Sequence, residues 1–345
     1  MKPTNPTSRD IADAAGVSQA TVSRALRDSP LVRQETREHI QKIAQELGYS
    51  VNRNAASLRS QSSQTIALLL FDEADGNKPE ALINPFYLSM LSHITRAAAA
   101  FGYDVLVSLQ ELAADWHIEY QASYRADGLI LLGYGDYESY QPKLDALTET
   151  NAQYVIWGPM IESQPGRSFG CDNETGGYLA TQHLTRLGCQ NIAFIGDTTR
   201  NSPELADRHR GYRNALEEAG HTYQVDLAVA AHNAEEQGFH AMNQLIDAGI
   251  PFDSVFAVTD LLAIGAIRAL QARDLRVPED IRVVGFDDIE LAAYVSPALT
   301  TVRQNTAIAG EELVRRLVRL IEGQNVDSTQ MQPELVVRDS CGSRR

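Results

Sequence analysis

The chain has 345 residues, of which 43% are hydrophobic, and a net charge of -15. That length exceeds the roughly 100–200 residues of one domain, so more than one packed unit is expected. The N-terminal stretch MKPTNPTSRDIADA has no apolar signal core, and no run approaches the roughly 18 apolar residues of a membrane span, so a soluble cytoplasmic protein without membrane partners is expected. Three cysteines, Cys171, Cys189 and Cys341, are an odd number without metal-like spacing, which points to a reducing compartment with neither a disulfide framework nor a bound metal.

The charge is unevenly placed. Residues 1–60 carry +3 and the remainder -18. A small basic head can meet phosphates while an acidic body stays soluble and avoids indiscriminate contact with nucleic acid.

Within the head, Thr7 can cap a first helix that Gly16 ends, with Ile11, Ala12 and Ala15 on its apolar face. Ser18 can cap a second helix, with Val22, Ala25 and Leu26 inward and Gln19, Ala20, Ser23 and Arg24 outward. A third helix is expected from about Arg33 to Leu47, with Ile40, Ile43, Ala44 and Leu47 inward, before Gly48. Two short helices across a tight glycine turn, supported by a third, make a helix-turn-helix. The second helix of that motif enters the major groove. There Gln19 can pair bidentately with adenine, Ala20 can touch a thymine methyl, and Arg24 can reach guanine or a phosphate. Ser18, Thr21 and Ser23 are sized for backbone phosphates. A small helical bundle with a polar surface fits the same pattern about equally well.

Residues 52–59, NRNAASLR, suit a short helix capped by Asn52, too short to stand alone in water and so expected to fold when docked. Leu58 has no obvious core to join and can wedge between base steps of a minor groove. The polar SQSSQ that follows ends the linker.

Taken together, RDIADAAGVSQATVSRAL, TREHIQKIAQELGY and VNRNAASLRS, in that order and spacing, resemble the head and hinge of the lactose-repressor (LacI/GalR) family of transcription factors. The resemblance implies a homodimer on a pseudo-palindromic operator, with paired hinge helices in the central minor groove. It places Gln19 and Ala20 where members choose operators, Arg24 at the usual arginine, and Asn52, Ala56 and Leu58 among the hinge contacts, Leu58 as the lever leucine. Val51 departs from the proline many members carry.

From residue 65, apolar strand-like runs alternate with helical stretches: TIALLLF, DVLVSL, GLILLG, YVIWG, IAFIG, LAVAA, SVFAVT and RVVGF. Such buried runs imply parallel sheets covered on both faces, too many strands for one small sheet. The fold class expected is an all-α helix-turn-helix head plus an α/β body of two Rossmann-like parallel-sheet subdomains. The expected division is 1–50 for the head, 51–63 for the hinge and 64–345 for the body. Within the body, 64–158 with 304–331 form one subdomain, and 159–303 with 332–340 the other.

Ligands in open α/β sheets collect at the carboxyl ends of strands. Those ends carry Asp72, Tyr134, Trp157-Gly158, Asp197, Asn233, Thr259-Asp260, Asp287-Asp288 and Gln304, a set suited to a polyhydroxylated ligand. For any single Asp, a plain helix cap explains the residue equally simply.

The resemblance extends more loosely through NPFY, CDNETGG, RHRGY, TDLLAIG, VVGFDD and SPALTTVRQ. It implies a periplasmic-binding-protein-like type I effector domain with a cleft between its subdomains. Arg208 and Asp287 match the principal effector-binding pair, and Phe86 and Tyr87 match residues lining the cleft. Thr259, Gly158, Asn233 and Thr306 depart from residues of sugar-responsive members, and Trp157 is a candidate stacking face in their place. The effector set is thus Asp72, Phe86, Tyr87, Trp157, Arg208, Asn233, Thr259, Asp287 and Gln304. The loop 73–83 is longer than usual and is expected to reshape the cleft mouth.

No GxxxxGK, complete GxGxxG, GxSxG or zinc-spaced His/Cys cluster is present in the sequence, so neither an enzyme nor a cofactor is expected. A solute receptor of the same body fold would lack the head. The reading is a regulator, as a rule a repressor, controlled by a sugar or sugar phosphate, with a nucleoside or purine as the second choice and activation as an alternative outcome. The tail VVRDSCGSRR has no leucine heptads, so a dimer is expected rather than a tail-mediated tetramer.

Overall fold

The computed structural model describes residues 6–26, 28–49, 62–71, 83–110, 116, 120, 125–133, 137–160, 166–199 and 201–343. The chain divides into two compact units, Met1–Ser63 and Gln64–Arg345. The hinge residues Asn52, Ala56 and Leu58, the strand-end residues Asp72 and Tyr134, and almost all of the loop 73–83 lie outside the described residues.

The head holds three helices, α1 (Ser8–Ala15), α2 (Gln19–Ala25) and α3 (Gln34–Glu46). Thr7 and Asp10 form a reciprocal capping box on α1, each satisfying a backbone N–H of the other's residue. Gly16, at φ +65°, ends α1 and returns its N–H to the carbonyl of Ala12. A β-carbon would strain that left-handed turn, which is why glycine stands there. Ile11, Val22, Ala25 and Ile40 are fully buried against one another, so each helix contributes its apolar face to one small core. Leu47, expected inward, is instead the exposed C-cap residue of α3, because the helix ends one position before it.

In the body, β1 (Thr65–Phe71), α4 (Pro85–Ala100), β2 (Asp104–Gln110), β3 (Gly128–Leu132), α5 (Tyr137–Glu149), β4 (Tyr154–Trp157), β5 (Ser168–Cys171) and α6 (Asn173–Arg186) follow in order. Next come β6 (Ile192–Ile195), α7 (Pro203–Glu218), β7 (Ala228–Val229), α8 (Glu235–Asp247), β8 (Ser254–Ala257), α9 (Asp260–Ala272) and β9 (Arg282–Asp287). The chain closes with β10 (Thr300–Arg303), α10 (Thr306–Ile321), β11 (Thr329–Met331) and β12 (Glu334–Val336).

These strands make two sheets, ordered β11-β5-β4-β3-β1-β2 and β12-β10-β9-β8-β6-β7. Every pairing is parallel except β10 with β12. The continuous apolar runs explain this: β3, β4, β6 and β8 are buried at every position, as strands covered by helices on both faces must be. The strand order reverses between β3, β1 and β2, and again between β8, β6 and β7, leaving a crevice at the carboxyl ends of each sheet.

One expected boundary moves. The subdomain border near 158 falls instead after β5, because β5 pairs with β4 through Ile156 and Trp157 and extends the first sheet. Gly170 permits this: a β-carbon there would lie 2.1 Å from the Gly158 carbonyl oxygen. The chain passes to the second sheet through Asp172 and α6, returns after Gln304 into α10, and crosses once more between β11 and β12. Among the described residues, no helix is long and apolar enough to cross a membrane.

Candidate functional site

The second sheet builds a polar site at its strand ends. Asp172 caps α6 by accepting the N–H and hydroxyl of Thr175, which sets Asn173 as the first helical residue. Asn173 Nδ2 donates to the Cys171 carbonyl, so its Oδ1 faces Arg208 Nε at 2.8 Å. Arg208, only 5% exposed, stands on α7, its guanidinium 3.6 Å from the centre of the Phe286 ring. Its Nη1 donates to the Val258 carbonyl and lies 3.4 Å from Asp287 Oδ1. Helices α6 and α7 approach closely enough for this because Gly177 and Gly211 face each other's backbone. A β-carbon at Gly177 would lie 2.0 Å from the Arg208 carbonyl oxygen.

Asp287 ends β9 and is 6% exposed. Burial pushes its carboxyl up to about 6, against the opposing pull of Arg208 and of the hydrogen bond from Gln304 Nε2 at 2.7 Å. Three atoms of this network take no hydrogen bond among the described residues: Arg208 Nη2, Asp287 Oδ2 and Gln304 Oε1. Nearby in sequence to Val258, Thr259 caps α9 and donates its hydroxyl to Asn233 Oδ1 at 2.8 Å. The amide of Asn233 is thereby oriented, with Nδ2 taking no hydrogen bond among the described residues. The result is an array of fixed donors and acceptors, which is what orientation of a hydroxyl-rich molecule requires.

The first sheet contributes rings. Asn84 caps α4, with Pro85 in the first turn, so Phe86 and Tyr87 stand at the start of that helix, near Trp157 on β4 and Gly133 after β3. Phe86 packs 5.9 Å from Trp157, and Trp157 lies 6.0 Å from Phe169. Both Phe86 and Trp157 are nearly covered, so Trp157 is a core member with little surface left for stacking. Tyr87 keeps partial exposure, and its hydroxyl lies 3.2 Å from where a β-carbon of Gly133 would stand. Thr306, two residues after Gln304, shares a 2.9 Å hydrogen bond with Ser89, two residues after Tyr87. That link ties the first turns of α4 to the start of α10, just after Gln304.

The acidic strand-end residues separate by environment. Asp197 is spent locally, accepting from Thr199 and Ser202. Asp288 turns away to Arg303 and Arg338. Asp260 is fully buried and cannot reach a ligand. Asn173 and Phe286 are the network members sequence reasoning missed. Asn173 lies inside the motif CDNETGG, directly after the strand-end Cys171-Asp172, and that placement is the signal that could have found it.

In the head, Gln19, Ala20 and Arg24 are exposed on one face of α2, opposite buried Val22 and Ala25. Ser18 accepts the N–H of Thr21 at 3.2 Å and shares a 2.9 Å hydrogen bond with its hydroxyl. These two side chains therefore hold the start of the helix, while Ser23 is half-buried.

Family models match both parts of the chain. The family described as bacterial regulatory proteins, lacI family, matches residues 7–52, and the periplasmic binding protein-like domain matches residues 181–341. The HTH-type transcriptional regulator CelR of Thermobifida fusca is 32% identical over 341 residues, 97% of this chain and 98% of its own. The HTH-type transcriptional repressor PurR of Vibrio atlanticus is 29% identical over 340 residues, 97% of this chain and 98% of its own. A lac repressor dimer bound to operator and an anti-inducer superposes with a TM-score of 0.86 at 27% identity, covering 98% of this chain and 99% of that one. A CelR–cellobiose complex superposes with a TM-score of 0.72 at 32% identity, covering 97% of this chain and 99% of that one. The likeness runs along nearly the full length of the chain, and the chain belongs to the LacI family of helix-turn-helix transcriptional regulators.

Proposed function

We propose that this regulator acts in the cytoplasm as a homodimeric repressor whose operator affinity is set by a sugar-like effector bound between the two sheets. The observation that carries the effector reading is the trio of polar atoms, on buried residues, that take no hydrogen bond among the described residues: Arg208 Nη2, Asp287 Oδ2 and Gln304 Oε1. One donor and two acceptors, fixed in place, match the alternating needs of neighbouring hydroxyls, and Asn233 Nδ2 adds a second donor. Tyr87 offers the exposed part of an aromatic wall. The CelR relative solved with cellobiose supports a sugar. The PurR relatives, as similar as most others, keep a purine as the second reading.

In the head, Gln19, Ala20 and Arg24 read base edges, and the hinge at Asn52, Ala56 and Leu58 enters the minor groove. Effector binding shifts the DNA-competent population by no more than its differential affinity for the two states.

The test has two stages. Selection from randomised duplex DNA at fixed salt should enrich a pseudo-palindrome, and Gln19→Ala should relax one position of each half-site by about 1–3 kcal/mol. Operator binding is then titrated with mono- and disaccharides, sugar phosphates, nucleosides and purines. A sugar that alters operator affinity supports the reading. A purine that does so in its place replaces the effector class, and an unchanged base preference in Gln19→Ala removes that residue's role.

A further inference from the structure

Asp260 opens α9 and is fully buried, with no cation paired to it among the described residues. Its carboxyl reaches two other segments. Oδ2 accepts the backbone N–H of Ile289 at 2.8 Å, and Oδ1 lies 2.5 Å from the Thr301 hydroxyl on β10. The same hydroxyl oxygen accepts the backbone N–H of Asp288 at 3.4 Å. The Asp260–Thr301 pair therefore engages the two consecutive amides that follow Asp287.

Those amides belong to an unusual turn. Asp287 and Asp288 have φ of +116° and +55°, a region that L residues seldom occupy unless surrounding contacts hold them there. Space for the clamp is built into β9: a β-carbon at Gly285 would lie 2.4 Å from Asp260 Oδ1. Glycine at that strand position leaves the room the carboxyl fills.

We propose that Asp260, acting with Thr301, is the positioning residue of the effector site: it locks the Asp287–Ile289 turn and so aims the Asp287 carboxyl at Arg208, Gln304 and the ligand. Only the last of these three targets rests on the proposed effector reading. Burial and the Asp287 and Asp288 carboxyls push the Asp260 carboxyl well above the usual carboxylate range, against the hydrogen bonds it accepts from Thr301 and Ile289. An asparagine has the same shape and keeps a carbonyl to accept from Ile289, with its amide beside the Thr301 hydroxyl.

The test needs no effector. Full-length protein carrying 13C-labelled aspartate carboxyls is titrated by NMR, with Asp287 assigned through Asp287→Asn. The groups facing Asp287 are Arg208 from α7, Asp260 from α9, Asp288 beside it and the Cys171 thiol from β5, which burial pushes up to about 12 and keeps neutral throughout. In the wild type the Asp287 midpoint is expected near 6. Asp260→Asn should leave it within about half a unit, and Asp260→Ala and Thr301→Val should lower it by about one unit or more as the freed carboxyl reaches water.

A melting temperature that falls in Asp260→Ala or Thr301→Val while the Asp287 midpoint stays in place would make the pair merely stabilising and overturn the proposal. Should Asp260→Ala not fold, Thr301→Val decides by the same criterion. A protein with these shifts that binds no sugar would keep the positioning role and lose the effector reading.

Discussion

The two halves of the body share one strand order and differ in what stands at its ends. Setting aside the edge strands β11 and β12, each sheet runs fifth, fourth, third, first, second. At the carboxyl ends the first half places Phe86, Tyr87 and Trp157, and the second places Arg208, Asp287 and Gln304. Topology thus supplies a crevice at the carboxyl ends of each sheet, and side chains decide that one end is packed with aromatic rings, of which Tyr87 stays partly exposed, and the other with a charged, hydrogen-bonded network. A hydroxyl-rich ligand with apolar ring faces gains from both.

The charged half should be the more fragile. Arg208→Met leaves Asp287 buried without its cation, a loss expected to cost about 3–5 kcal/mol in denaturant unfolding and to abolish sugar binding in calorimetry. Retained binding would break the comparison at its main residue.

The next effect is pH dependence. Asp287 is raised from 3.8 to about 6 in the folded protein. Between those values the unfolded chain ionises first while the folded chain keeps its proton, so Asp287's contribution to stability is full below pH 4 and falls as pH rises towards 6. The total change is about 3 kcal/mol. Unfolding free energies across that window should slope for the wild type and flatten for Asp287→Asn. Effector binding that uses the ionised carboxylate should weaken in the opposite direction, as pH drops through about 6. A pH-independent affinity would show that Asp287 does not accept from the ligand.

Two smaller changes sharpen the contrast. Gly177→Ala forces α6 from α7 beneath Arg208 and should destabilise by about 1–3 kcal/mol, with a loss of effector affinity beyond the loss of stability. Tyr87→Ala removes the partly exposed ring of the first half. It should weaken sugar binding by about 1 kcal/mol, roughly five-fold, with little change in unfolding. A larger effect from Tyr87 than from Arg208 would invert the roles given to the two halves.

The long buried strands and the capped helices of the head were legible because each announces itself locally, through an apolar run or through a cap such as Thr7 with Asp10. Strands β5 and β11 were not: SFGC and TQM are short and lack a continuous aliphatic run, and they exist through pairing, β5 with β4 and β11 with β5 about 160 residues away in the chain. Arg208, Asp287 and Gln304 were reached through motifs and strand ends; the contacts of Arg208 with Asn173, Val258 and Phe286 were not, since these residues come from elements far from it in the chain. The strand-end aspartates show the limit most clearly. Asp197, Asp260, Asp287 and Asp288 hold the same topological place. Only their contacts separate a local cap, a buried clamp, an open acceptor and an ion-pair partner.

The measurement that tests the central claim most directly is operator affinity, by fluorescence anisotropy on the selected site, with and without each sugar of the panel, for wild type and Arg208→Met side by side. The account predicts that one sugar moves the wild-type affinity by ten-fold or more, about 1.4 kcal/mol of coupling, and leaves Arg208→Met unmoved. A sugar that binds the wild type in calorimetry yet leaves its operator affinity unchanged, or that shifts Arg208→Met equally, would contradict it.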